Sequence, residues 1–401
     1  MIHKRKLFAG FAAILVVQSF AGKVFSATPT AKPVLIGLDA EFEYQGSTSA
    51  EAIRHGIQIA IDEINKAGGV LQGRPLKLME KANRSLPARS ANNIKEFAAT
   101  PDLVAVFCGR FSPTVLEMLP LIHQLGLPLM NPWSAADGII DHSFSPNYVF
   151  RLSMKDSWAA NAMLANLSSR NLKNVGLLML NTSWGRSTVS AAQKYQKGKS
   201  KVNLIGTQWI NWDDDEASML NKVKQLRDAG AQALLLTANA GEAATLVKGM
   251  LKLPAAERLP VVSHWGVTGG KLPDMVGPDF YKLDFRVVQT YTFIGQKSLK
   301  AATVISAHNA RDGGTSARSI LSPVGVAHAY DLTHILARAI QLAGSTDRAK
   351  IRDALEKVRN YDGLIKKYAA PFTVKRHEAL SESDVFLARY SPLDGALEKL
   401  P

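Results

Sequence analysis

The chain has 401 residues, 46% hydrophobic and 20% charged, an ordinary globular composition long enough for two or three domains with sizeable cores. Its one cysteine, Cys108, excludes a disulfide within the chain and a metal site built from several cysteines. The formal net charge of +14 is carried by scattered rather than clustered basic residues, which argues against nucleic acid as a partner and leaves a general bias toward anions.

The first 27 residues read as an export signal. His3-Lys4-Arg5-Lys6 is a basic start, Leu7 to Val17 an apolar or small run, and Gln18-Ser19 its end, with small Ser26 and Ala27 beyond. That order is a secretory signal peptide cut near Ser26 or Ala27. The alternative, a membrane anchor, needs about 20 apolar residues, and this run is too short. The expectation is therefore a soluble periplasmic protein, without a lipid anchor because no cysteine follows the signal. Beyond residue 27 the chain keeps 44 basic and 34 acidic residues, about +10.

From there strands and helices alternate. Pro33-Val34-Leu35-Ile36-Gly37-Leu38 is an unbroken apolar run and predicts a buried strand. Thr48 and Glu51 have capping-box spacing, and Ile53, Ile57, Ile61 and Ile64 then recur as one helical stripe. Gly68-Gly69 ends that helix. Strands follow at 76–79, 103–107 and 127–130, with helices at 88–98 and 113–125. The pattern restarts with a helix at 156–169 and strands at 175–180, 204–209, 233–237, 260–263 and 285–290, separated by helices, one of them at 216–228. Helices at 324–342 and 348–358 precede strands at 371–374 and 385–390. Short strands alternating with helices imply βαβ units and parallel sheets, and the restart implies two lobes of one architecture.

Several segments, in order, resemble the type 1 periplasmic binding proteins that serve branched-chain amino acid ABC transporters. Val34-Leu35-Ile36-Gly37 resembles their first strand, and Gly56 with Ala60 through Val70 resembles their first-helix signature, with Gly73-Arg74-Pro75-Leu76 as its sequel. Asn131-Pro132, Ser183-Trp184-Gly185 and Ala329-Tyr330-Asp331 match later landmarks. The resemblance implies two Rossmann-like α/β lobes with parallel sheets, joined by a three-crossing hinge that closes on a ligand. It puts lobe I at 33–151 with 290–370 and lobe II at 152–289 with 371–401. It also implies no cofactor, a small-molecule ligand, an inner-membrane ABC permease as partner, and a monomer.

Ligands of open α/β sheets bind at the carboxyl ends of the strands, and four such ends carry suggestive residues. Ser112 before Pro113 reads as helix N-cap and N1, either as a plain structural cap or as an anion site at a helix start. In amino-acid-binding relatives the matching serine holds the ligand carboxylate, and Arg110 stands beside it. At Asn131-Pro132-Trp133-Ser134-Ala135, relatives use backbone and a threonine where Ala135 stands, and here the hydroxyl is on Ser134. Trp184 matches an aromatic that lies over the ligand, its other reading being a surface-loop aromatic. Asn239 follows the strand at 233–237. At Ser263-His264-Trp265, the relatives' glutamate for the ligand ammonium is replaced by Trp265, which cannot supply a negative charge. His264 reads as an anion donor or as a hydrogen-bonded strand-end histidine.

These features predict capture of a small carboxylate, an aromatic or branched acid without an α-ammonium group. An amino acid is the second reading, with Asp39 or Glu41 replacing the missing acid. Asp213-Asp214-Asp215-Glu216 reads as acids at a helix start rather than a metal site. His328, Asp331 and His334 lack zinc-protease spacing. No nucleophile elbow, Walker loop, dinucleotide turn or zincin motif is present, so an exported enzyme has little support. A periplasmic sensor signalling through its closed state remains the alternative to transport.

Overall fold

In the computed structural model, which describes residues 31–198 and 201–401 besides Met1, the expected apolar run is β1 (Val34–Ala40), the second strand of a parallel sheet. The proposed signal segment lies outside the described residues. Strand β1 is buried on both faces, as helix-covered parallel strands are. Around it stand β2 (Leu76–Ala82), β3 (Leu103–Cys108), β4 (Leu129–Asn131) and β5 (Val149–Arg151), in the order β2-β1-β3-β4-β5.

Helices α1 (Ser49–Lys66), α2 (Pro87–Ala99) and α3 (Ser112–Gln124) connect these strands. The isoleucine stripe of α1 is buried at all four positions, each side chain contributing about 1.5–3 kcal/mol. It packs against α10 (Pro323–Ala343), so closely that a Cβ on Gly56 would lie 2.2 Å from the Val326 carbonyl oxygen. The capping box does not form: Thr48 has no side-chain bond to the helix, because its hydroxyl meets Ser322 Oγ at 2.6 Å.

The second lobe has a seven-stranded sheet. Its parallel part runs β7 (Asn203–Ile210), β6 (Asn174–Leu180), β8 (Ala233–Thr237), β9 (Val261–Ser263), β10 (Phe285–Gln289). Antiparallel β13 (Phe386–Tyr390) and β14 (Leu397–Lys399) extend it beyond β10. The helices are α4 (Asp156–Ser169), α5 (Ser183–Lys197), α6 (Glu216–Asp228), α7 (Ala240–Leu251) and the short α8 (Leu272–Val276). The chain returns to the first lobe for α9 (Leu299–Asp312), α10, α11 (Arg348–Leu355) and the small hairpin of β11 (Tyr361–Asp362) and β12 (Lys367–Tyr368). Three passages therefore join the sheets, after β5, after β10 and before β13.

One expectation is corrected at the last passage. Residues 371–374 are not a strand but enter a turn closed by Thr373 and Arg376, after Pro371 has removed one backbone donor. The stretch 376–379 then runs beside β5: Arg151 N–H donates to His377 O (2.9 Å) and Ala379 N–H to Arg151 O (2.8 Å). Residues 371–379 thus lie with the first sheet. Behind them a fully buried Arg151 pairs with Glu378 through two bonds of 2.8 and 2.6 Å. No helix among the described residues is long and apolar enough to cross a membrane.

Candidate functional site

The carboxyl ends of β3, β4, β8 and β9 converge where the lobes meet. There Arg110, Phe111, Ser112, Trp133, Ala135, Trp184, Asn239, Trp265 and Gly266 surround one small space. Seven of the nine expected residues are in that wall. Ser134 and His264 are not: each is buried just behind it.

The β4 end is shaped by its own side chains. Asn131 accepts from Trp133 N–H (3.1 Å) and donates to Ser134 O (2.8 Å), folding the turn so that Trp133 points between the lobes. The Ser134 hydroxyl donates to Gly109 O (2.9 Å), so it faces the neighbouring loop. Ser112 differs from the expectation in a second way. The helix begins at Ser112 itself, with Phe111 as N-cap, and Ser112 Oγ accepts from the backbone N–H groups of Ala135 and Ala136, both at 3.2 Å. The hydroxyl ties two loops of the first lobe together at the cavity edge.

From the second lobe, Trp184 is buried in the first turn of α5, not in a surface loop. Its Nε1–H donates to Asp156 Oδ1 (3.1 Å). His264 Nε2 lies 3.0 Å from the same oxygen, while His264 Nδ1 accepts from Trp265 N–H (2.9 Å). Because Nδ1 is the acceptor, a neutral His264 carries its proton on Nε2, facing Asp156. His264 is therefore a strand-end residue that accepts from Trp265 N–H and lies against Asp156 without an aligned hydrogen bond, while Asp156 holds Trp184 directly. A Cβ on Gly266 would sit 2.4 Å from Trp184 Cη2, so glycine is required for this packing.

Trp133 and Trp265, one from each lobe, meet with ring centroids 5.7 Å apart. Arg110 crosses the cleft as well: Nη1 donates to Asn239 Oδ1 (2.8 Å) and Gly266 O (3.3 Å). Its Nε faces Glu41 Oε1 at 3.4 Å without an aligned hydrogen bond and is buried without another partner. The enclosed space is about 10 Å³, room for about one water. In this closed arrangement the walls rest on each other. The rim adds Thr48 N–H to Gly269 O (2.9 Å) and Ser322 Oγ–H to Thr268 O (2.9 Å).

No acidic side chain stands among the described residues of the cavity wall. Asp39 is engaged elsewhere, accepting from Asn83, Ser90 and Asn93 at 2.7–2.8 Å, and burial raises its pKa. Glu41 is turned to Ser49 and to the Arg110 loop. Sequence reasoning missed Phe111 and Gly266 in the wall and Asp156 behind it. Asp156 looks like any acid at a helix start, so no local signal distinguishes it.

A family profile described as periplasmic binding protein matches residues 36–391. The chain belongs to the periplasmic binding protein family. Among solved structures it is similar to a type 1 periplasmic binding protein from Bordetella pertussis, at 21% identity and a TM-score of 0.80, covering 92% of this chain and 100% of that one. It is also similar to the branched-chain amino acid transporter substrate-binding protein of Streptococcus pneumoniae solved with isoleucine (20%, TM-score 0.73, 92% and 98% covered). A solute-binding protein of an R. palustris ABC transporter, solved with benzoate, is a third (17%, TM-score 0.72, 92% and 95%). No curated protein matches the sequence. At these identities the likeness concerns the fold.

Other expected clusters have structural partners. Asp215 caps α6 by accepting from Ser218 N–H (2.8 Å), and Asp214 pairs with Lys222. Asp331 accepts from Tyr361, Tyr368 and two backbone N–H groups, anchoring the β11–β12 hairpin to α10.

Proposed function

We infer that this periplasmic binding protein captures a small carboxylate without an α-ammonium group between its lobes and delivers it to an inner-membrane ABC permease. The observation that carries the ligand class is the wall itself: one guanidinium whose Nε faces Glu41 without an aligned hydrogen bond, three tryptophans and no carboxylate in the wall. Arg110 suits an anionic head group, and the indoles suit a ring or branched chain. An ammonium would be buried without a partner where Trp265 stands. The benzoate-bound protein of the same fold supports the reading, since benzoate is such an acid. Lobe I is taken as 33–151 with 290–379, lobe II as 152–289 with the remaining tail. Export with cleavage near Ser26 or Ala27 completes the proposal.

A thermal-shift panel tests the ligand class. A ligand at about 100 times its dissociation constant adds about 2.7 kcal/mol. Benzoate, 4-hydroxybenzoate or branched keto acids should raise the melting temperature. If leucine, isoleucine or valine raises it while these acids do nothing, the reading is wrong.

A further inference from the structure

Outside the tryptophan cavity, and separated from it by Phe111, a groove of about 540 Å³ opens at the cleft mouth. Its walls come from both lobes: Tyr44, Leu86, Phe111 and Pro113 on one side, Trp212 and Glu242 on the other. Trp212 is 56% and Leu86 49% exposed, large apolar surface to leave in water on a loop and a helix cap. Trp212 meets Phe111 edge-on with centroids 6.0 Å apart. The charged groups at the groove are engaged: Arg84 Nε donates to Glu43 (2.7 Å), and Glu242 accepts from Asn239 N–H (3.1 Å). The groove is thus mainly apolar inside, with its rim charges hydrogen-bonded, and lies within the size range of small-molecule sites, about 300–1,000 Å³.

Two contacts make the groove continuous with the inner site. Phe111 belongs to both walls, and Arg110 of the inner site lies against the Tyr44 ring of the outer one, 6.0 Å from its centroid. The inner space holds about one water, whereas the groove has room for a ring or an acyl chain, and Arg110, which lines the first and lies against Tyr44 of the second, keeps a buried Nε that faces Glu41 without an aligned hydrogen bond. We propose that the groove takes the apolar body of an elongated carboxylate, an arylalkyl or acyl acid, whose head reaches Arg110 past Phe111. The proposal rests on the carboxylate reading above and extends it to ligand length.

The experiment is calorimetric titration of the full mature chain with benzoate, phenylacetate, 3-phenylpropionate and 4-phenylbutyrate, on the wild type, Trp212→Ala and Leu86→Ser. Affinity should rise with length, by up to about fourfold per methylene buried. Trp212→Ala should narrow the spread between the longest and shortest acids by about tenfold, and Leu86→Ser should narrow it in the same direction. Benzoate binding with no gain on lengthening overturns the groove while leaving the carboxylate reading intact. So does a Trp212→Ala loss that is equal for every acid, as a docking surface for a protein segment or a general closure contact would give. If none of the four acids binds, the groove proposal fails, and if the branched keto acids of the thermal-shift panel also do nothing, the carboxylate reading fails with it.

Discussion

His328 gives the fold a dependence on pH that can be worked out from its contacts. It lies fully buried on α10, with Nδ1 2.7 Å from the Pro132 carbonyl and Nε2 2.9 Å from Thr290 Oγ1. A carbonyl only accepts, so Nδ1 carries the proton and Nε2 accepts from the threonine. The ring thereby links the end of β4 to the passage after β10, with the Trp265 ring tilted toward it at 5.8 Å. Protonation would place a cation and a second donor in this setting, and burial lowers the pKa to about 4, against which the Pro132 bond and distant Asp384 are smaller opposing influences. In the unfolded chain the value is about 6.5. The unfolded state therefore binds more protons between these values. The neutral-histidine stability is complete above about pH 6.5 and falls as pH drops toward 4. The loss is about 2 kcal/mol by pH 5 and approaches about 3 kcal/mol below pH 4. Urea unfolding from pH 7.5 to 4.5 should show this slope, and His328→Gln should lack that share of it even if it starts less stable. Parallel wild-type and variant curves over the window would refute the argument. The comparison is needed because burial also lowers the pKa of His55, His123, His142, His308 and His377.

Two further outcomes follow from the lobe contacts. Glu378→Ala strips the fully buried Arg151 of its carboxylate partner and should cost about 3–5 kcal/mol in urea unfolding; a loss under 1 kcal/mol would mean that water reaches the guanidinium. Arg318, between α9 and α10, bonds Asp394 and Glu398 of the second lobe, and its bond to Asp394 lowers that carboxyl's pKa. Arg318→Ala should enlarge the radius from small-angle scattering in the absence of ligand, and raised salt or a fall of pH through the carboxylate range should enlarge the wild type. A radius indifferent to all three would remove Arg318 as a closing contact.

The fold was legible because its signals are local and repeated. The α1 stripe, the buried run of β1 and the restart after residue 151 each need only a period or an apolar run. What escaped depends on partners distant in sequence. Thr48 and Glu51 have capping-box spacing, yet Thr48 is drawn to Ser322. Ser112 and Pro113 have the order of a cap, yet the serine serves two amides 23 and 24 residues away. Strand β5 is three residues long and β11 two, below what periodicity can register. The site was legible as positions rather than as geometry. Seven expected residues share a wall, but nothing local in Trp133 or Trp265 told that they would touch each other, or in Asp156 that it would lie against His264 and hold Trp184.

Those contacts bear on how capture must work. Trp133 on Trp265, Arg110 on Asn239 and Arg318 on Asp394 and Glu398 are all contacts of one lobe with the other, made by the protein's own side chains. They stabilise the closed arrangement. A solute entering between the lobes must first find them apart, so its apparent affinity is reduced by the fraction of molecules that are open. A rim contact that is kept when the lobes close on a ligand stabilises the loaded form as much as the empty one, so a variant that weakens it without touching the cavity should bind no more tightly than the wild type. One that removes Arg110 has two opposed effects, since it frees the lobes and deletes the cation that would receive the carboxylate. Rim and wall residues should therefore separate in titration: loss of the first lowers apparent affinity for every acid alike or leaves it unchanged, while loss of the second changes which acids are preferred.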